Sequence, residues 1–237
     1  MPSIIEVDTI KNKTGTQNTV LSTDGSGNNT LNANTIKDGS ATKTLAEYSS
    51  NAWSWGSGVP EGTIVGYKQH NLTTRHDIAN SNNTGSHYDT LAGWTWVKLE
   101  LSYTLKTDSP IIHLSCHLCM ATTNHAERLS LKVHRVDSSG NSVAPVSGFV
   151  TSQESSRRHA HASDLYFSAG SDEHLMNFAF TTQDDLSLSA GTTVYYRVYS
   201  NQNAGSITFY INRPDNDSNQ WYIPSTVSSL TIMEVAE

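Results

Sequence analysis

The chain has little of what most often carries protein chemistry. Only 2 of its 237 residues are cysteines. These are Cys116 and Cys119, three apart in IIHLSCHLCM. On a strand such residues point to opposite faces, so they cannot pair without distorting the ladder. A disulfide framework is excluded. Charged residues make up 16%, the net charge is -7, and the longest Lys/Arg cluster is Arg157-Arg158. No electrostatic footprint for nucleic acid or an anionic membrane arises from that. No apolar run approaches the roughly 18 residues of a membrane helix, so membrane insertion is not expected. The opening MPSIIEVDTIKNK lacks the apolar stretch and cleavage site of a secretory leader. The expectation is synthesis in a cytoplasm, with exit, if any, by lysis or assembly.

Catalytic signatures are also missing. There is no G-x-S-x-G, P-loop, dinucleotide fingerprint or H-E-x-x-H. The carboxylate pairs Asp172-Glu173 and Asp184-Asp185 fall in turn-like segments and read as solvated surface. Glycosidase carboxylates project from separate elements into a cleft. No catalytic residue and no cofactor are assigned, and the expectation is a protein that is not an enzyme.

What the chain does have is uncharged polarity. Hydrophobic residues make up 36% and mean hydropathy is -0.44. Ser, Thr, Asn and Gly supply the polarity, which suits β-structure with wet outer faces better than it suits a charged, disordered tail. From Thr63 onward the strand period is clear. In WTWVKLELSYTL (94–105), Val97, Leu99, Leu101, Tyr103 and Leu105 share one face, and Trp94, Trp96, Lys98, Glu100 and Ser102 the other. Further strands are expected at 63–68, 111–120, 129–136, 145–151, 176–182, 192–200, 206–211 and 228–236. Turn clusters such as DSSGNS, SAGT and NQNAGS separate them. The long connections at 69–93 and 152–173 suit crossovers between sheets. The expected fold is an all-β, antiparallel sandwich of the jelly-roll kind over 63–237.

Two features of that sandwich bear on function. Trp94, Trp96, Tyr195 and Tyr199 fall on faces that should be wet, so those faces are expected to meet a subunit neighbour or to stack on sugar. Trp53 and Trp55 repeat the i, i+2 spacing at the junction with the preceding segment. Of 10 histidines, His159 and His161 form an H-x-H that is a possible metal half-site. His113 and His117 share a strand face, where Cys119 stands two residues beyond His117.

Residues 1–50 precede a Gly-rich linker at 51–62. DTIKNKTGT, from Asp8, returns as NTIKDGSAT from Asn34. So few apolar groups do not close a core in one copy. Either the segment is a flexible tail, or short β-units stack and identical chains share a core supplied by Ile10 and Ile36. Within it, ATKTLAEYSS (41–50) is expected to form one or two helical turns with Ser40 or Thr42 as N-cap.

SIIEVDTIKNKTGTQNTVLSTDGSGNNTLNANTIKDG resembles the N-terminal segment of virion appendage proteins of tailed bacteriophages, especially those of cyanobacteria. STVSSLTIMEVAE resembles their last strand and tail. The stretch 63–220 is similar in pattern to the trimeric jelly-roll heads of phage fibres and of the tumour necrosis factor and complement group. The resemblance implies a homotrimer in the virion. Its N-terminal segment would attach to other virion proteins, and its head would bind a host-surface receptor such as a glycan. The stalk is shorter than in long-fibre members. That leaves open a capsid decoration or collar protein without a ligand, and a carbohydrate-binding module is the further alternative.

Overall fold

The computed structural model describes residues 9–11, 19–23, 29–31, 35–37, 44–49, 52–55, 59–80, 91–123, 128–147, 160–166, 175–202, 207–216 and 225–237. They divide into two compact units, Met1–Pro60 and Glu61–Glu237. All their regular structure is β-strand.

The first unit holds two three-stranded antiparallel sheets. One contains β1 (Thr9–Lys11), β2 (Thr19–Thr23) and β3 (Asn29–Leu31); the other contains β4 (Thr35–Lys37), β5 (Thr44–Ser49) and β6 (Ala52–Trp55). The sequence repeat is a structural repeat. Ile10 pairs with Leu21, and the register slips between Ile10 and Lys11. Ile36 pairs with Ala46, and the register slips between Ile36 and Lys37. Third strands extend the rows, placing Leu31 opposite Leu21 and Trp55 opposite Ala46. The helical turns expected at 41–50 are instead β5, held by β4 on one edge and β6 on the other. Backbone pairing on both edges outweighs the local helix signal of so short a segment. The expected linker at 51–62 likewise contains β6, consistent with the two-residue spacing of Trp53 and Trp55.

The second unit carries eleven strands among its described residues: β7 (Ile64–Leu72), β8 (His76–Asn80), β9 (Thr95–Thr104), β10 (Ile111–Thr122), β11 (Arg128–Val136), β12 (Ser142–Pro145), β13 (Ala162–Tyr166), β14 (Met176–Asp185), β15 (Thr193–Gln202), β16 (Ile207–Ile211) and β17 (Ser228–Val235). One antiparallel sheet runs β7-β17-β10-β16-β8 with β14 on β10; the other runs β12-β11-β15-β9 with β13 on β11. Three strand positions are split. β16 and β17 follow one another along the same edge of β10, and β8 and β7 lie outside them in the same order. β12 and β13 share one edge of β11. Counted as positions in chain order, the sheets read 1-8-3-6 and 2-7-4-5. That is the double Greek key of a jelly roll, so the expected fold class holds.

Period-2 patterning explains the sandwich. β10 turns Ile112, Leu114, Cys116, Leu118 and Met120 inward; β11 contributes Leu129, Leu131 and Val133, and β15 Val194, Tyr196 and Val198. Cys116 and Cys119 are free and buried. The alternation of β9 survives a bulge. Trp96 pairs with Tyr199 but Glu100 with Arg197, a slip of two residues, which keeps parity. Lys98 sits in the bulge at φ 67.

Two buried carboxylates close one end of the sandwich. Glu234 and Asp184 both oppose Ile112 in the same cross-strand row. Glu234 accepts Lys106 N, Thr107 N and Thr107 Oγ1 at 2.8–2.9 Å. Asp184 accepts Arg135 Nη1 at 2.8 Å, Tyr196 Oη at 2.9 Å and Ser147 N at 3.0 Å, tying the sheets together. The solvated-surface reading of Asp184 is therefore corrected: it is 1% exposed. Burial pushes its pKa up against the pull of Arg135.

Candidate functional site

On the outer face of the β12-β11-β15-β9 sheet, the ladder builds rows across three strands. Lys132, Tyr199 and Trp96 form one row; His134, Arg197 and Glu100 form the next. Trp94, Val136 and Tyr199 make a second apolar cluster there, with Leu91, Trp96, Ala160 and Tyr195 packed on it. Leu91 and Ala160 belong to the chain's own long connections. Asn201 draws one of these in, donating from Nδ2 to the carbonyl of Gly93. The wet face expected for the aromatics is thus corrected. Trp94 and Tyr199 are buried by their own chain, which leaves Trp96 and Tyr195 partly exposed.

Trp96 is the hub of what remains at the surface. Lys98 Nζ lies 4.4 Å from its ring centroid and Arg197 Cζ lies 4.2 Å from it. Arg197 Nε donates to Glu100 Oε2 at 2.7 Å. Above Arg197 passes Gly140, where an added Cβ would come within 1.7 Å of Nη1. Gly140 adopts φ +90, and its turn is locked by Asp137, whose carboxylate takes Ser139 N at 2.8 Å, Asn141 N at 2.9 Å and Asn141 Nδ2 at 2.8 Å. These bonds hold the Asp137 pKa down, Asn141 contributing most. The guanidinium is therefore fixed between an indole and a glycine.

Beside it opens a cleft of about 310 Å³. Glu100, Arg197, Ser102 and Tyr195 belong to its sheet wall, Lys68, Gln69 and His70 of β7 to the second, and Ser138 to the turn. Lys68 Nζ donates to the Ser102 carbonyl at 2.7 Å, joining the walls. The sequence signal for this cleft was the outward set Glu100, Ser102, Tyr195 and Arg197, read only for its aromatic member.

A second depression, open and about 710 Å³, includes the outer face of the other sheet, with Tyr67, His113, Ser115, Thr181, Gln183, Thr231 and Met233 in its lining.

The remaining candidates fall outside the cleft, and His161 borders the second depression. His159 lies outside the described residues. His161 is corrected from metal half-site to packing element. Its ring stacks on Phe180 at 5.4 Å, its Nδ1 accepts Val133 N at 3.1 Å, and burial, then Lys132, bring its pKa down to about 4. His117 comes within 3.9 Å of Cys119 Sγ, yet no group of three metal-ligating side chains occurs among the described residues. Ile10 and Ile36 occupy equivalent strand positions, and Trp53 and Trp55 lie on β6. The side chains of all four are outside the described set.

No family model matches the chain, and no curated protein does. Among solved structures it is similar to the infectious bursal disease virus Gt strain (10% identity, TM-score 0.29, over 82% of this chain and 44% of that one). It is similar also to the T=1 particles derived from that virus (12%, 0.28, over 73% and 37%) and to the VP2 subviral particle (13%, 0.27, over 73% and 39%). The chain spans less than half the length of each. Likeness at these scores carries no weight for function.

Proposed function

We propose that the chain is a non-enzymatic structural protein of a virus particle, a homotrimeric attachment fibre whose jelly-roll head binds a host-surface ligand. The observation that carries this reading is the structural repeat. Two three-stranded units share strand order, pairing and the position of a register slip. Each is too small to stabilise itself, since an isolated sheet of this size lacks a core. Stacked along an axis and joined by sister chains, their Ile10 and Ile36 rows would gain a common interior. Three heads per fibre would then bind through avidity. The cleft supports a binding role without turnover. Glu100 is the carboxylate among its lining residues and is tied to Arg197, whereas glycoside hydrolysis needs two flanking carboxylates.

Light scattering on the full chain tests the assembly. Three times the 25.9 kDa chain mass is expected, falling to one chain mass when Ile10 and Ile36 are both replaced by Asp. A monomeric parent, or a double variant with unchanged mass, refutes it.

A further inference from the structure

We propose that the cleft between β7 and β9 binds a saccharide bearing a carboxylate, a uronate-type sugar. This deepens the attachment reading and rests on it for its biological use, although the site itself is complete within one chain. Size comes first: about 310 Å³ lies at the small end of ligand pockets, which span roughly 300–1,000 Å³. Charge comes second. In a chain of net charge -7, this cleft sets Lys68 and Arg197 against the single carboxylate of Glu100. A local cationic excess amid an acidic protein selects an anionic group.

Glu100 argues against a bare phosphate or sulfate, which it would repel. It suits a ligand whose acidic group is accompanied by hydroxyls. A carboxylate fixed at 2.7 Å to a guanidinium accepts from sugar hydroxyls while the planar cation donates to their oxygens or to the uronate. Tyr195 adds an aromatic wall, and Ser102, Ser138, Gln69 and His70 add further hydrogen-bonding partners. Preorganisation comes third. Arg197 is held by the Trp96 face, the Glu100 carboxylate and the Gly140 backbone before any ligand arrives. Little ordering cost then remains to be met on binding.

Titration calorimetry of the purified full chain with tetragalacturonate, at low salt, tests the site. Binding is expected, at least tenfold tighter than to the neutral tetragalactose. Lys68→Gln, at an exposed residue, should weaken the acidic sugar by about five- to tenfold, the size of one lost charge-assisted contact. It should weaken the neutral sugar by clearly less than the acidic one, since only the acidic sugar loses a charge-assisted contact. Ser138→Trp should block both from an exposed turn without disturbing the core. Absence of tetragalacturonate binding, equal affinity for the neutral sugar, equal competition by inorganic phosphate, or full binding by Ser138→Trp would each overturn the proposal. A trimer that ignores the sugar refutes the site and spares the assembly; a monomer that binds it does the reverse.

Discussion

On the outer face of the β12-β11-β15-β9 sheet, Lys132, His134 and Trp94 are 1%, 0% and 7% exposed. Across the sandwich, the outer face of the other sheet leaves Tyr67 62% exposed, amid threonines, a glutamine and a histidine. Both faces come from the same alternating ladder. They differ in what the connections do. On the first face, Leu91 and Ala160 fold over the aromatics and make a second core. An outward aromatic is therefore not by itself an interaction site. Its exposure depends on segments far away in sequence, which residue alternation does not reveal.

Substitutions can break that contrast. Trp94→Ala should lower unfolding free energy by about 3–5 kcal/mol, as for a core aromatic, read by chemical denaturation. A loss below about 1 kcal/mol would mean that the face is not a core. Acid comes next. His161 is neutral in the fold with a pKa of about 4, against about 6.5 in an unfolded chain. Its contribution is fully present above about 6.5 and is lost as pH falls toward 4, about 3 kcal/mol in all. His161→Leu should flatten the stability profile between those pH values, and an unchanged slope would contradict the assignment. Trp96→Ala should cost less, about 1–2 kcal/mol, yet remove the tetragalacturonate site by releasing Arg197. Unaltered affinity in that variant would show that the indole does not position the guanidinium. Tyr67→Ala on the open face should change monomer stability by no more than about 0.5 kcal/mol, and a larger loss would erase the contrast.

Much of the sandwich was legible because alternation and turn chemistry are local. The β9 faces were readable in spite of the bulge at Lys98, since a slip of two residues preserves parity. The repeat was legible because Ile10 and Ile36 sit at matching steps of matching strands. Other features depended on distance. Asp184 resembled half of a surface pair until Arg135, Tyr196 and Ser147 were brought to it through the fold. β8 and β13 were hidden in segments expected to be crossovers. β5 read as helical because the strands that hold it, β4 and β6, lie outside the stretch 41–50 that carries the helix signal. For the cleft, each residue was visible as an outward position, but its second wall comes from β7, about thirty residues before β9.

The splits in the sheet carry a further meaning. Where β7 gives way to β8 and β16 to β17, Asn212, at φ 60, closes the seam. Its Nδ2 donates to the carbonyls of Leu72 at 2.6 Å and Thr74 at 3.0 Å, and its Oδ1 accepts Ser228 Oγ at 2.7 Å. Ser228 Oγ in turn accepts Cys119 N at 2.9 Å. A single amide thus fastens the ends of β7, β16 and β17 to one another, so the two divided rows open or close together.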